Sequence, residues 1–139
     1  MSVQPLLLDT CTLIWIVKGE ALASPAVDTL NAANDSDAIT YVSPITAWEV
    51  GLLVARDRLK LLMTPQRWFQ SLLEAPNVRL ANMSPDLLIA SSFLPGKPPR
   101  DPSDRIIAAT ARDLGCTLLT RDRELLNYAE QGHIRVVEC

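Results

Sequence analysis

Asp101-Pro102-Ser103-Asp104-Arg105-Ile106-Ile107-Ala108-Ala109-Thr110-Ala111-Arg112-Asp113-Leu114-Gly115-Cys116-Thr117-Leu118-Leu119 is the stretch that decides the fold. It reads as one helix and one strand joined with almost no loop. Asp101 offers a capping side chain, and Pro102 takes the first helical position, where its missing N–H would have had no partner anyway. Gly115 falls where a left-handed C-terminal cap is expected, and the strand-like run Thr117-Leu118-Leu119 follows at once.

The same grammar recurs on the N-terminal side and once beyond. Leu6-Leu7-Leu8, Ile39-Thr40-Tyr41-Val42, Val78-Arg79-Leu80 and Ile134-Arg135-Val136-Val137 read as strands, making five with Thr117-Leu118-Leu119. Helical periods occupy 25–33, 45–56, 65–73, 85–93 and 102–114. Ser24-Pro25, Ser43-Pro44, Thr64-Pro65 and Ser84-Pro85 repeat the cap-then-proline start of Asp101-Pro102. Strands alternating with helices predict an α/β fold, a five-stranded parallel sheet flanked by helices on both faces. The segment Pro95-Gly96-Lys97-Pro98-Pro99-Arg100 is the one clear irregular loop.

With 139 residues, 48% apolar and 21% charged, the chain is expected to be a single domain, 1–139, able to bury a full core. Its apolar stretches are broken by Lys18, Glu20 or prolines, so none reaches the run of about 20 that crosses a bilayer. The opening Met1-Ser2-Val3-Gln4-Pro5 lacks the charged-then-apolar layout of a leader, and a cytoplasmic location is expected. Cys11, Cys116 and Cys139 are odd in number and form no CxxC pair, which argues against a disulfide framework and a zinc site. Cys11 is expected to be a small buried apolar residue. His133 is the lone histidine and no Ser/His/Asp set is evident, so any chemistry falls to carboxylates. A net charge of -3 opposes a protein that coats nucleic acid through its overall field, but not a nuclease that neutralises phosphate with bound cations.

In an open parallel sheet, strand C-termini and helix N-termini share one edge, where ligands bind. Asp9 follows the first strand, Glu49 lies in the early turns after the second, and Asp104 stands in the first turn before the fourth. Asp122 comes just after that fourth strand. Each has an ordinary alternative: Asp9 as the N-cap of a helix beginning at Thr10, Asp104 as a first-turn acid paired with Asp101, Asp122 as a solvated turn residue. Glu49 is harder to set aside. Ile45, Leu52 and Leu53 place it within the apolar stripe of its own helix, where a carboxylate calls for a basic neighbour or a metal. Like charges gathered at one edge repel unless a cation neutralises them, and hard oxygen donors suit Mg²⁺, with Mn²⁺ as substitute. Metal-assisted hydrolysis of a phosphodiester is one chemistry such a set supports.

The runs Leu7-Leu8-Asp9-Thr10, Ser43-Pro44-Ile45-Thr46-Ala47-Trp48-Glu49-Val50, Asp101-Pro102-Ser103-Asp104-Arg105-Ile106-Ile107-Ala108-Ala109-Thr110-Ala111 and Leu119-Thr120-Arg121-Asp122, taken in order, resemble the PIN-domain family. Within it the chain is similar to the VapC-type toxins. The resemblance implies a Mg²⁺/Mn²⁺-dependent endoribonuclease, with Asp9, Glu49, Asp104 and Asp122 as metal ligands and catalytic residues. It gives Thr10, Asp101 and Thr120 a supporting role around them, and it implies a homodimer and a VapB-like antitoxin whose segment lies in an apolar groove. Leu52, Leu59, Leu61, Leu62 and Met63 could line such a groove. Lys97, Arg100, Arg105 and Arg121 are candidates to guide the RNA backbone. The chain departs from the branch in Cys11 and Ser103 and in having no histidine before Asp101, which leaves open the substrate preference set by the loop 94–100.

Two rivals remain at this point. One is a catalytically silent PIN fold serving as an interaction or RNA-assembly module. The other is an aspartyl-phosphate domain, which fits poorly because Cys11 stands where a second aspartate is needed. Trp15, Trp48 and Trp68 are read as core or interface aromatics.

Overall fold

The computed structural model describes residues 4–139, so the reading of the first five residues as free of a leader falls partly outside it. Along the chain run β1 (Leu6–Leu8), α1 (Thr10–Lys18), α2 (Ser24–Asp35), β2 (Thr40–Val42), α3 (Pro44–Ala55), α4 (Pro65–Leu73) and β3 (Val78–Leu80). Then follow α5 (Pro85–Ala90), α6 (Pro102–Leu114), β4 (Thr117–Thr120), α7 (Arg123–Glu130) and β5 (Arg135–Glu138). The five strands form one sheet of order β3-β2-β1-β4-β5, parallel throughout. Leu6 of the central β1 stands opposite Thr40 on one side and Thr117 on the other. The chain therefore winds away from β1 in both directions, and the crevice at the carboxyl ends of β1 and β4 is the switch point where ligands of such sheets bind.

Local chemistry explains most helix starts. Ser43, Thr64, Ser84 and Asp101 each accept a hydrogen bond from an amide in the first turn of their helix, at 3.1 to 3.2 Å. Ser24 departs from this pattern: it is already helical, and Ala23 occupies the cap position without a side-chain bond. Ala23 is fixed instead by its amide, which donates to the Cys139 carbonyl at 3.3 Å. α5 also ends three residues before the expected limit at 93. Ser91 caps it, and the Ser91 carbonyl accepts from Arg105 Nε at 3.1 Å, which turns the chain away before Pro95. Gly115 closes α6 at φ 64°, the left-handed conformation its position predicts.

Alternate strand residues face opposite sides, and each side has its own core. Leu6 and Leu8 pack with Leu13, Ala26, Val50, Trp68 and Leu119, under α1 to α4. Leu7 and Leu118 pack with Ile107, Ala108, Leu125 and Tyr128, under α6 and α7. Among the tryptophans, Trp68 is buried and Trp15 is partly buried against the first cluster, but Trp48 is 57% exposed and belongs to neither core. Cys116 and Cys139 are buried, whereas Cys11 is exposed, contrary to expectation. The inward positions of α1 are taken by Thr10, Thr12 and Leu13, which leaves Cys11 facing out. Among the described residues no helix is long and apolar enough to cross a membrane.

Ile107 is 1% exposed in the core beneath α6. Urea unfolding should show Ile107→Ala destabilised by about 2–5 kcal/mol, as for other large-to-small core changes. Trp48→Ala should stay within about 0.5 kcal/mol of the parent.

Candidate active site

Asp9 ends β1 and begins α1, and the two oxygens of its carboxylate have different partners. Oδ1 accepts from the Thr12 amide at 2.8 Å, capping α1, while Oδ2 accepts from the Thr120 hydroxyl at the end of β4. Thr120 Oγ1 in turn accepts from the Asp122 amide at 3.0 Å, and Asp122 Oδ1 caps α7 by accepting from the Leu125 amide at 3.0 Å. Asp9 thus caps α1 as its ordinary reading has it, whereas Asp122, read as a solvated turn residue, instead caps α7, and both stand at the carboxyl edge of the sheet. Asp101 likewise caps α6 through the Asp104 amide at 3.1 Å.

Glu49 reaches the site from α3. It is half-buried and its Oε1 accepts from the Thr10 hydroxyl at 2.7 Å. Thr10 also hydrogen-bonds Thr46 at 3.0 Å, so two buried threonines on facing helices brace one carboxylate. Thr46 lies three residues before Glu49, on the same helix face, which is the signal that would have singled it out. Thr12 also lies outside the sequence-based candidate set. It donates its amide to Asp9 and its hydroxyl to the Leu119 carbonyl at 3.1 Å, and its place three residues after a capping aspartate marks it.

The acids lie within range of one another's charge. Burial raises the Asp9 pKa, hydrogen bonds from Thr12 and Thr120 oppose the rise, and Asp122 adds to it. Burial likewise raises Glu49, against the Thr10 bond and with Asp101 and Asp9. Asp104 is pushed up to about 7, first by burial and then by Asp122, Asp101, Glu49 and Asp9. No hydrogen bond to its carboxylate offsets these effects among the described residues. Cys11 reports on the same field from the rim. Partial burial of its thiol, then Asp9, Glu49, Asp104 and Asp122, push it up to about 11.

Of the four basic candidates, two are committed internally. Arg105 Nη1 donates to the Pro99 carbonyl at 2.8 Å and its Nε to Ser91. Arg121 Nη2 donates to the Cys139 carbonyl at 2.9 Å, and its guanidinium lies 3.5 Å from the centroid of the Trp15 ring. Lys97 and Arg100 are exposed on the loop before Asp101. The acids occupy an open edge: hollows of about 690 Å³ beside α5 and between α3 and α4 are lined by other residues. Among the described residues no three histidine, cysteine or acidic side chains are already drawn together as a metal-binding set. What the edge offers is four mutually repelling oxygen donors, with Asp9 and Glu49 oriented by threonine hydroxyls. That donor chemistry fits a hard divalent cation.

A PIN domain model matches residues 6–131. Ribonuclease VapC22 of Mycobacterium tuberculosis is 30% identical over 122 residues, covering 88% of this chain and 89% of that protein. Among solved structures, VapBC2 from Rickettsia felis, bound to a DNA fragment from its promoter, superposes with a TM-score of 0.67 at 14% identity. That match covers 97% of this chain and 98% of the other. FitAcB from Neisseria gonorrhoeae gives a TM-score of 0.57 at 22% identity, over 94% and 95%.

The raised Asp104 carboxyl has a stability consequence. Its folded pKa of about 7 exceeds the ordinary 3.8, so the folded state holds a proton that the unfolded chain releases. Stability of the metal-free protein should fall as pH rises from about 4 to about 7 and level off above it. Thermal melts in a chelator should show this decline, and Asp104→Asn should flatten it.

Proposed function

The chain belongs to the PIN domain family, and we propose that it is a ribonuclease of the VapC kind, with Asp9, Glu49, Asp104 and Asp122 making it a metal-dependent endoribonuclease. The observation that supports this most is the placing of Asp9 and Glu49 by threonine hydroxyls at an edge where the charges of Asp9, Glu49 and Asp122 bear on both Cys11 and Asp104, a concentration of negative charge that a divalent cation would relieve. Asp9, Glu49 and Asp104 would hold a Mg²⁺ ion, with Mn²⁺ as substitute, and Asp122 would assist. Once bound, the ion supplies charge neutralisation at the scissile phosphate and acidifies water.

The protein's own part is orientation. Thr120 turns Asp9 with one hydrogen bond while the α1 amide holds its other oxygen, so the carboxylate presents a single face to the edge. Thr10 does the same for Glu49. Partners of this kind fix the ligand geometry, and their removal typically weakens metal binding by roughly 10–100-fold. The reaction is hydrolysis of single-stranded RNA, leaving 5'-phosphate and 3'-hydroxyl ends, in the cytoplasm.

The VapBC relative also supports a VapB-like antitoxin partner. Its proposed seat is a largely apolar groove of about 250 Å³ lined by Leu59, Leu61, Leu62, Met63 and Trp68 with α1 residues, and Lys18 and Lys60 also border it. Leu52, expected in this groove, does not line it. A homodimer would cover the exposed Leu88 and Ile89 of α5 and Phe93 just after it.

Cleavage of a single-stranded RNA in Mg²⁺ should be lost in Asp9→Asn, and full activity in that variant would refute the site. Thr120→Val should need about 10–100-fold more Mg²⁺ for half-maximal rate. Induced expression of wild type, but not Asp104→Asn, should arrest bacterial growth and create new 5'-phosphate RNA ends.

A further inference from the structure

The irregular loop before α6 is held at alternate residues by side chains from α6, α7 and the turn after α7. Tyr128, fully buried, donates its hydroxyl to the Pro95 carbonyl at 2.7 Å. The carboxamide of Gln131 satisfies both backbone groups of Lys97: Oε1 accepts from its amide at 2.8 Å and Nε2 donates to its carbonyl at 3.0 Å. Arg105, one residue after Asp104, holds the Pro99 carbonyl. Gly96 is pressed onto this support. Its φ is 69°, and a Cβ there would lie 2.5 Å from His133 Nε2 and 2.6 Å from Gln131 Oε1. Prolines at 95, 98 and 99 further limit the loop's backbone freedom.

So many ties on a surface loop are not needed to join α5 to α6. What they accomplish is to fix where Lys97 and Arg100, both exposed, leave the backbone just ahead of Asp101. A cation whose backbone is already ordered loses less entropy when it meets a phosphate, so the loop is preorganised for binding. Gln131 is well suited to that role, because its exposed side chain contributes little to the core and its two hydrogen bonds go to Lys97.

We propose that Gln131 is a positioning residue for the RNA backbone, holding Lys97 in place through a two-bond clamp so that the loop 95–100 guides substrate toward the acids. This rests on the ribonuclease reading above. The residue touches neither the acids nor the substrate, so its effect falls on substrate affinity and not on the chemical step.

The test measures KM and kcat on a single-stranded RNA oligonucleotide, the affinity of the same oligonucleotide in an Asp104→Asn background, and amide exchange at Lys97. Gln131→Ala should raise KM and the dissociation constant about 5–10-fold, the scale of one or two hydrogen bonds, with kcat within about twofold. The Lys97 amide should exchange faster while the melting temperature is kept. Gln131→Glu, which keeps the acceptor and loses the donor, should fall between. Lys97→Ala should raise KM to a similar degree, and adding Gln131→Ala to it should have little further effect. An unchanged KM, a loss confined to kcat, or full additivity with Lys97→Ala would overturn the proposal while leaving the nuclease reading intact. Wild-type protein that neither binds nor cleaves RNA would overturn both.

Discussion

The carboxylate of Asp9 is the group on which the rest of the site depends. It is 6% exposed, and an ionised group so buried is costly unless its lone pairs are met. The Thr12 amide meets one oxygen and the Thr120 hydroxyl the other, and these two donors come from α1 and from the end of β4. A single side chain therefore caps a helix and joins neighbouring strands at the switch point of the sheet. The hydrogen bonds satisfy its local needs without cancelling its charge. Asp122, Glu49 and Asp104 add to that charge, so the edge is electrostatically frustrated in the metal-free protein. Such local conflict, set within an otherwise consistent fold, is a mark of function.

Much of this was legible because it is local. Ser43, Thr64, Ser84 and Asp101 announce helix starts by hydrogen-bonding amides two or three residues away. Gly115 announces an end by its conformation, and strand positions follow from short apolar runs. Glu49 could be singled out because helical spacing alone places it beside buried Ile45, as the half-buried side chain on α3 bears out. That Asp9 and Asp122 stand at the carboxyl ends of β1 and β4 followed from one topological rule about parallel sheets.

What escaped the sequence was decided by distant partners. Arg105 looks like a surface cation until Ser91, 14 positions back, takes its Nε, and Arg121 until the Cys139 carbonyl, 18 positions on, takes its Nη2. Ser24 has the right residue type for a cap, but the Ala23 amide pairs with Cys139 and shifts the start of α2. Cys11 is apolar enough for a core, yet Thr10, Thr12 and Leu13 already fill the inner face of α1. The clamp on the loop 95–100 was hidden for the same reason. Gln131 lies 34 positions beyond Lys97, and no spacing rule pairs them.

The sheet order sets a timetable. β1 is made early but occupies the centre of the sheet, and Thr120, which completes the hold on Asp9, lies 111 positions later. Domains form as units while the chain emerges from the ribosome, and pairings this remote form late. A growing chain can bring β1 to β2 long before β4 exists, but it cannot gather Asp104 and Asp122 beside Asp9. The edge therefore cannot be assembled until β4 and the residues just after it have been made, however long β1 has waited.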